Sequence, residues 1–599
     1  MRIVSAVLLS VFCLVNVPLL YGDTFGSVNI TAEPVEQTGR REHGYVEFKF
    51  HLYNQSERET CRVTLVVQGR YNDREGSIWE MRRTALVGPS SDVRLSLLQP
   101  PLPLYCGDRI TVIIDGKTMG EMKVGYHLNF YVDKSGFYPR AFSSSGHPAK
   151  SELSVPSRIL VSRSVDSQAL EDKILKFTAE AAGQSVSDLK SYGNTYFSIV
   201  RAQSEIGGWS EEWLAYTSFD GIILASEELG DMTPEIRQAL ISYLECGGSL
   251  LIMGDTKWPA LTNRIKGPGS IEASYSGFSQ CLFSPDSSFD LLNNDELLFI
   301  KKSWNDTRNP FLWTDLGQHP NSVFPIIEKL SLPIKSIFLL LLCFAVIIGP
   351  VNILFFYKKK KHLWVFWTIP AFSLLSTGLV VIYILMSEGI AASFRSESFT
   401  ILNQPARRAS TIGISAFYSP VGMKEGLRYG YNTEVTPLGQ FVSRGYVDWT
   451  SDQHLRSGWI SPKVPAHFMV RKSEMRRERL EVTYENGKAV IMNGLSADIS
   501  QLWLSNEQGQ LYFGKEIRAG AKAVLEPMSG TMRAVSNPEA LRLLYINEFH
   551  NPGKSIEKPS FVLFSNNYLA EINASPFMEK GITAKRRKEK VYSYILGIL

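Results

Sequence analysis

The sequence predicts a multidomain α+β membrane protein. Its expected parts are an N-terminal β-sandwich, an α/β parallel-sheet domain, two transmembrane helices and a C-terminal β-rich domain. Three observations carry this. Short runs at both ends of the chain alternate apolar and polar residues, the period of half-buried strands. Between residues 158 and 256, strand-like runs alternate with amphipathic helical ones, the pattern of a parallel sheet covered by helices. Two long uncharged apolar stretches then flank four consecutive lysines.

A chain of 599 residues has room for about three to five domains. With 44% hydrophobic and 20% charged residues it is neither a disordered chain nor a fully polytopic transporter. Lys plus Arg number 63 and Asp plus Glu 59, a net charge of +4, too small an excess for a dedicated nucleic-acid binder.

From the N-terminus, Arg2 precedes an apolar run from Ile3 to Leu20, which reads as a signal peptide over 1–22 with cleavage after Gly22. An uncleaved anchor is the alternative. Cys13 follows Phe12, whereas a lipoprotein signal needs a small residue there. Residues 24–132 contain YVEFKFHLY (Tyr45 to Tyr53), CRVTLVVQG (Cys61 to Gly69), DVRLSLL (Asp92 to Leu98) and RITVIIDG (Arg109 to Gly116), separated by turn signals. They predict a sandwich of immunoglobulin-like architecture, without the Cys…Trp…Cys signature of antibody domains. Residues 133–157, rich in Ser, Gly and Pro, read as a linker.

The α/β domain is expected over 158–332. Its strands are RILVS (Arg158 to Ser162), Tyr196 to Val200, FDGIILAS (Phe219 to Ser226) and SLLIMG (Ser249 to Gly254). One helix carries Leu170, Ile174 and Phe177 on a face. Another opens at Pro234, repeats Ile236, Ala239, Leu240, Tyr243 and Leu244, and stops at Gly247-Gly248. The transmembrane helices are 337–357 and 363–386, each long enough for a hydrocarbon core of about 30 Å. The turn 358–362, Lys358-Lys359-Lys360-Lys361-His362, is expected in the cytoplasm, with the hairpin's outer ends across the membrane. A secretory N-terminus sends residues 23–335 to that same outer side. Trp364, Trp367, Tyr357 and Tyr383 stand where interfacial aromatics belong. Residues 388–599 return to β-like runs and form a β-rich outer domain, as one unit or two.

Two resemblances arise here. FDGIILASEEL, an amphipathic helix and CGGSLLIMGD make residues 158–256 resemble glutamine-amidotransferase-like, flavodoxin-like domains. The resemblance implies a nucleophilic cysteine in the turn after the last strand. Met253, Gly254, Asp255 and Thr256 stand there instead, and no downstream His-x-Glu pair appears. The fold is implied without the activity. In the hairpin, Gly349-Pro350-Val351-Asn352, the basic turn, Trp364 and Thr368-Ile369-Pro370 resemble a group of uncharacterised bacterial envelope membrane proteins. That resemblance implies an inner-membrane location with large domains on the periplasmic or extracellular side.

Nine histidines are scattered, with no His-x-His or His-Glu-x-x-His spacing, and no Cys-x-x-Cys occurs. No metal site and no cofactor are expected. Phosphate-cradling and Gly-x-Ser-x-Gly motifs are missing as well. Ligands of open α/β sheets bind outside the carboxyl ends of the strands. There the sequence places Ser226, Glu227 and Glu228, then Asp255, Thr256 and Lys257. They read as a polar crevice or as helix caps and solvated loop charge.

Gly349, Pro350 and Asn352 read as a surface for a partner helix or as an internal kink. Cys61 and Cys106 are disulfide candidates in an oxidising compartment, and a bridge would close a loop of about 45 residues. Cys246 and Cys281 read either as a second pair or as free thiols. Lys585-Arg586-Arg587-Lys588 before VYSYILGIL reads as a lipid contact, a third span or a loop before a last strand. The expected role is a non-catalytic binding or scaffolding component that works with the bilayer and with membrane or envelope proteins. The alternatives are an enzyme using the polar sheet edge, or an accessory subunit of an export system.

Overall fold

The computed structural model describes residues 21–33, 44–69, 77–101, 106–123, 157–182, 197–255, 264–307, 320–327, 334–360, 364–388, 391–531 (without 424, 440–443 and 486), 565–582 and 587–599, and the isolated positions Val186, Trp258, Leu261 and Leu563. Residues 1–20 of the expected signal peptide 1–22, and most of the expected linker 133–157, lie outside the described residues. The chain is mixed α+β and rich in sheet.

The N-terminal region forms two sheets that share one core. The first runs Tyr21–Phe25, Val28–Ala32, Val46–Asn54, Asp92–Gln99. Val46–Asn54 turns Val46, Phe48, Phe50 and Leu52 inward by strand alternation. Their facing partners Val63, Leu65, Val67 and Val112 come from the second sheet. The first strand begins at Tyr21, which pairs with Ala32, so cleavage after Gly22 would cut into it.

The expected boundary 24–132 is corrected by the second sheet. Its order is Leu427–Tyr429, Gln453–Leu455, Arg444–Asp448, Ser77–Val87, Cys61–Gly69, Cys106–Ile114, Lys117–Lys123. Three strands therefore come from beyond the apolar hairpin. Arg444–Asp448 pairs in parallel with Ser77–Val87, and Arg82 reaches Asp448 at 3.1 Å. The expected domain 388–599 is thereby split between two sheets.

The same pairings remove the Cys61–Cys106 disulfide. Cys61 lies opposite Val87, and Cys106 lies opposite Gly69 on the other neighbour. The two cysteines sit at opposite ends of the Cys61–Gly69 strand, roughly 26 Å apart along it, whereas a bridge needs Cα atoms within about 7 Å. Cys61 is a buried free thiol beside the Ser27 hydroxyl. Cys246 and Cys281 are also free and buried, which decides between the two readings of that pair.

The α/β sheet runs Phe197–Arg201, Ser157–Val161, Gly221–Ala225, Leu250–Met253, Ser279–Ser284, Glu272–Ser276, Arg264–Lys266. The first five strands are parallel and the last two antiparallel. The helix Asn294–Thr307 follows the strand Ser279–Ser284 and completes the domain. The helix Pro234–Glu245 begins as its sequence dictates. Thr233 Oγ1 accepts from Ile236 N, and Pro234 occupies the first turn, where its missing N–H costs nothing. The helix ends before Gly247, whose φ of +105° suits glycine.

The remaining sheet has eleven strands, with the chain's last strand near its middle. Arg587–Ile598 lies parallel to Ala392–Asn403 and antiparallel to Asn567–Ile572. The end read as VYSYILGIL is thus a strand, and a third span is excluded. Arg408–Tyr418, on the other side of Ala392–Asn403, is buried on both faces. Phe417 packs with the core shared by the sandwich and the α/β domain, while Ile412, Ile414 and Ala416 pack with Phe324 on the other face.

Phe324 belongs to a short strap, residues 320–327, that opens with the helical turn Pro320–Val323 and precedes the apolar helices. His467 Nε2 lies 2.9 Å from the Phe324 carbonyl, and Arg395 donates to the Pro325 carbonyl at 2.9 Å. Burial first, and Arg395 after it, lower the His467 pKa from its ordinary 6.5 to about 4, against the opposing pull of the Phe324 carbonyl. Between these values the unfolded chain binds a proton that the folded chain does not. Stability should therefore be unaffected by this group above pH 6.5, fall as pH drops, and level off near pH 4. Urea unfolding at pH 5 should show a loss of about 2 kcal/mol relative to pH 7.5, and His467→Gln should flatten that slope. An unchanged slope in the variant would assign the effect to other groups.

The apolar region comprises Ile334–Val346, a π-helical turn Ile347–Val351, Asn352–Lys358, and then Val365–Glu388. Pro350 has no N–H, and the π turn absorbs that break in the ladder. Among the described residues one helix, Leu341–Lys358, is long and apolar enough to cross a bilayer, with mean hydropathy 2.0. The second apolar stretch, Phe366–Leu379, is shorter.

Candidate functional site

The parallel sheet reverses its winding at Ser157–Val161, which has Phe197–Arg201 on one side and Gly221–Ala225 on the other. Fold logic puts a ligand crevice there, beyond the carboxyl ends of Ser157–Val161 and Gly221–Ala225. The chain's own side chains occupy it. Gly221–Ala225 runs directly into a 3₁₀ turn, Ser226–Gly230, which swings Glu228 back toward the sheet. One Glu228 carboxylate oxygen accepts from Ser164 N at 3.0 Å, and the other from Ala225 N at 3.3 Å. Ser162 Oγ also lies 3.3 Å from Ala225 N. Asp166 Oδ1 accepts from Gln168 N and Ala169 N at 3.0 and 3.1 Å, capping the helix Ser167–Ala182. Four peptide N–H groups at this edge are thus taken by two carboxylates of the chain itself.

The sequence-derived site residues separate accordingly. Glu228 is buried and structural, Ser226 is half-buried, and Glu227 and Asp255 are exposed. Thr256 and Lys257 lie outside the described residues. Ser226 and Gly254 do come together. A Cβ at Gly254, whose φ is +100°, would collide with Ser226 Oγ, so the two strand ends touch and leave no gap between them. Among the described residues of the loops at this edge, 162–166, 226–233, 254–255 and 285–288, there is neither histidine nor cysteine. Ser226 therefore has no neighbouring imidazole there to activate it. No group of three His, Cys, Asp or Glu side chains converges as a metal site among the described residues.

Cys246 caps the far end of the helix Pro234–Glu245 and is buried. Burial pushes its thiol well above the usual range, overriding the nearby Arg471. A thiol held protonated and out of solvent is a poor nucleophile.

In the apolar hairpin, Asn352 is directed inward. Its Nδ2 donates to Thr368 Oγ1 at 3.0 Å, and Thr368 Oγ1 donates back to Asn352 Oδ1 at 3.1 Å. The pair clasps the two helices to each other, which favours the internal reading for Asn352. Pro350 is exposed, and nothing lies within 4 Å of a Cβ built on Gly349.

Sequence reasoning missed a dense polar cluster at the seam between the α/β domain and the eleven-stranded sheet. Arg408 Nε lies 2.7 Å from both Glu245 oxygens, and its Nη2 reaches Ser242 and Ser473. Arg471 makes a two-pronged pair with Glu434 at 2.6 and 2.9 Å and donates to the Cys246 carbonyl at 3.1 Å. Glu434 and Arg471 are nearly inaccessible. Nothing in the spacing of Glu245, Arg408, Glu434 and Arg471 marks them, because each pair meets only through tertiary contact.

No family model matches the chain, and no curated protein matches it.

Proposed function

We infer that the chain is a non-catalytic scaffold of the cell envelope, held in the bacterial inner membrane by a two-helix hairpin and presenting one co-folded body on the outer side. The observation that carries this reading is the tie between the two stems of the hairpin. Arg395, shortly after the second helix, donates to the carbonyl of Pro325, shortly before the first, at 2.9 Å. Strands from before and after the hairpin also share a sheet through Ser77–Val87 and Arg444–Asp448. A chain that leaves and rejoins one folded body crosses a bilayer an even number of times, which supports two crossings rather than one.

Val365–Glu388 contains 24 residues, a helix of about 36 Å, which is sufficient for the second crossing. Phe338, Leu342, Leu354, Phe366, Leu374 and Ile382 are among the apolar side chains these helices expose, a surface that calls for lipid rather than water. The lysine turn directs the tip to the cytoplasm. The signal-like N-terminus, the immunoglobulin-like reading of the sandwich and the periplasmic or extracellular placing of the body complete the proposal. The non-catalytic part rests on the sheet edge closed by Glu228. Binding of membrane or envelope proteins then falls to the outer surfaces.

Cysteine accessibility tests the topology in the full chain. A membrane-impermeant maleimide added to intact cells whose outer membrane is permeabilised should label Lys117→Cys and Ala406→Cys, and should label Lys360→Cys only after lysis. Labelling Lys117→Cys and Ala406→Cys on opposite sides, or Lys360→Cys from outside, would overturn the hairpin.

A further inference from the structure

The basic run near the C-terminus acquires a location from the sheet register. Ala392 pairs with Arg587, Ser393 with Lys588 and Arg395 with Lys590, in parallel. Ala392 stands four residues beyond Glu388, the last residue of the second apolar helix, and Ser393 and Arg395, opposite Lys588 and Lys590, stand five and seven beyond it, at most roughly 16 and 23 Å of extended chain. Headgroups extend about 5–7 Å beyond each side of the hydrocarbon, and charges act over a Debye length of about 8 Å. Long lysine side chains close the remaining distance.

The charge there is lopsided. Residues 579–590 contain Glu579 and Glu589 against Lys580, Lys585, Arg586, Arg587, Lys588 and Lys590. Both acids are engaged: Glu579 holds Lys472 at 2.5 Å, and Glu589 holds Lys580 at 2.7 Å. Lys588 and Lys590 are exposed, and among the described residues neither makes an ion pair.

We propose that this start of the last strand is a second membrane contact, in which Lys588 and Lys590 bind anionic lipid headgroups of the outer-facing leaflet beside the hairpin stem. Phosphate is the matching chemistry, since it offers oxygen acceptors to compact ammonium donors. The contact would fix the tilt of the outer body against the bilayer, a constraint that two helices on short stems do not supply. The proposal rests on the membrane-anchor reading, and the experiment separates the two.

The full chain is reconstituted in phosphatidylcholine vesicles, and carbonate-resistant flotation is measured. Failure to float overturns the anchor reading and this proposal with it. The chain is then placed in nanodiscs of pure phosphatidylcholine or of phosphatidylcholine with about a third phosphatidylglycerol, and amine acetylation rates are read by peptide mass spectrometry. Lys588 and Lys590 should react about three- to tenfold more slowly with the anionic lipid, and 0.5–1 M salt, on the order of the concentration that shrinks the Debye length to about 3 Å, should abolish the difference. Lys117, exposed at the start of the strand Lys117–Lys123, serves as the reference. Equal rates in the two lipids at Lys588 and Lys590, with flotation intact, overturn the headgroup contact alone. A slowing of equal size at Lys117 overturns it too, because it would reflect only the general surface potential.

Discussion

Glu434→Ala should destabilise the outer body by about 3–5 kcal/mol, the cost of leaving a buried charge without its partner. Arg471 is the charge concerned. Its guanidinium lies between Glu434 and the Cys246 carbonyl, at the seam where the helix Pro234–Glu245 meets the strand Ala466–Met475. Its side chain is nearly inaccessible, so little water can replace the lost carboxylate. Denaturant midpoints of the purified full chain, followed by tryptophan fluorescence, measure the loss. Pairing the substitution with Arg471→Met should recover most of it, since an apolar residue of similar length removes the stranded charge. A single variant as stable as the parent would show that the seam opens to solvent and that the two domains are not one unit.

Tyr45→Phe should cost about 3 kcal/mol, although it deletes one oxygen. The Tyr45 hydroxyl accepts from Val435 N at 3.0 Å and from Gln453 Nε2 at 2.5 Å, and donates to the Val435 carbonyl at 3.1 Å. All three partner groups lie beyond the hairpin, about 400 residues away in sequence. Without the hydroxyl, two backbone groups and one amide are stripped of a partner inside the core, at about 1–3 kcal/mol for each that finds no other. Burial drives the Tyr45 pKa upward, so the hydroxyl stays protonated and keeps its donor at any physiological pH. The same fluorescence titration applies, and limited proteolysis adds a local reading. Cleavage should accelerate in 427–455 as well as near Tyr45, because the strands there complete the sandwich's second sheet. Faster cleavage near Tyr45 alone would mean that the C-terminal strands hold without it.

Tyr45→Phe removes a contact between segments on either side of the hairpin, and Glu434→Ala strands an Arg471 that reaches back across it to the Cys246 carbonyl; this is where local sequence becomes uninformative. The strands of the sandwich were legible because strand alternation is local: Val46, Phe48, Phe50 and Leu52 announce a buried face by themselves. The helix Pro234–Glu245 was legible from Thr233, Pro234 and Gly247, which act within one turn of its ends. Position along the chain was a poorer guide to domain limits. Arg444–Asp448 looks like any short strand, and only its partner, Ser77–Val87, assigns it to the N-terminal sandwich. The Cys61–Cys106 pairing failed for the same reason, since shared membership of one sheet says nothing of which end of a strand each residue occupies.

For the candidate site, the sequence supplied the carboxyl edge and its polar residues, Ser226, Glu227, Glu228 and Asp255, because edge and motif follow from strand order. It did not supply the role of Glu228. A carboxylate after a strand can face a ligand or turn back onto Ser164 N and Ala225 N, and the choice depends on a 3₁₀ turn and a neighbouring loop some sixty residues earlier.

By itself, then, the sequence determined the alternation of sheet and helix, the apolar hairpin with its basic turn, and the lack of a thiol in the turn after Leu250–Met253, all of which are properties of short windows of chain. The tertiary structure alone decided that the segments before and after the hairpin close into one body, that Glu228 fills the sheet edge, and that Glu434 and Arg471 meet. These depend on backbone pairing and desolvation between residues far apart in sequence, where spacing carries no information about distance.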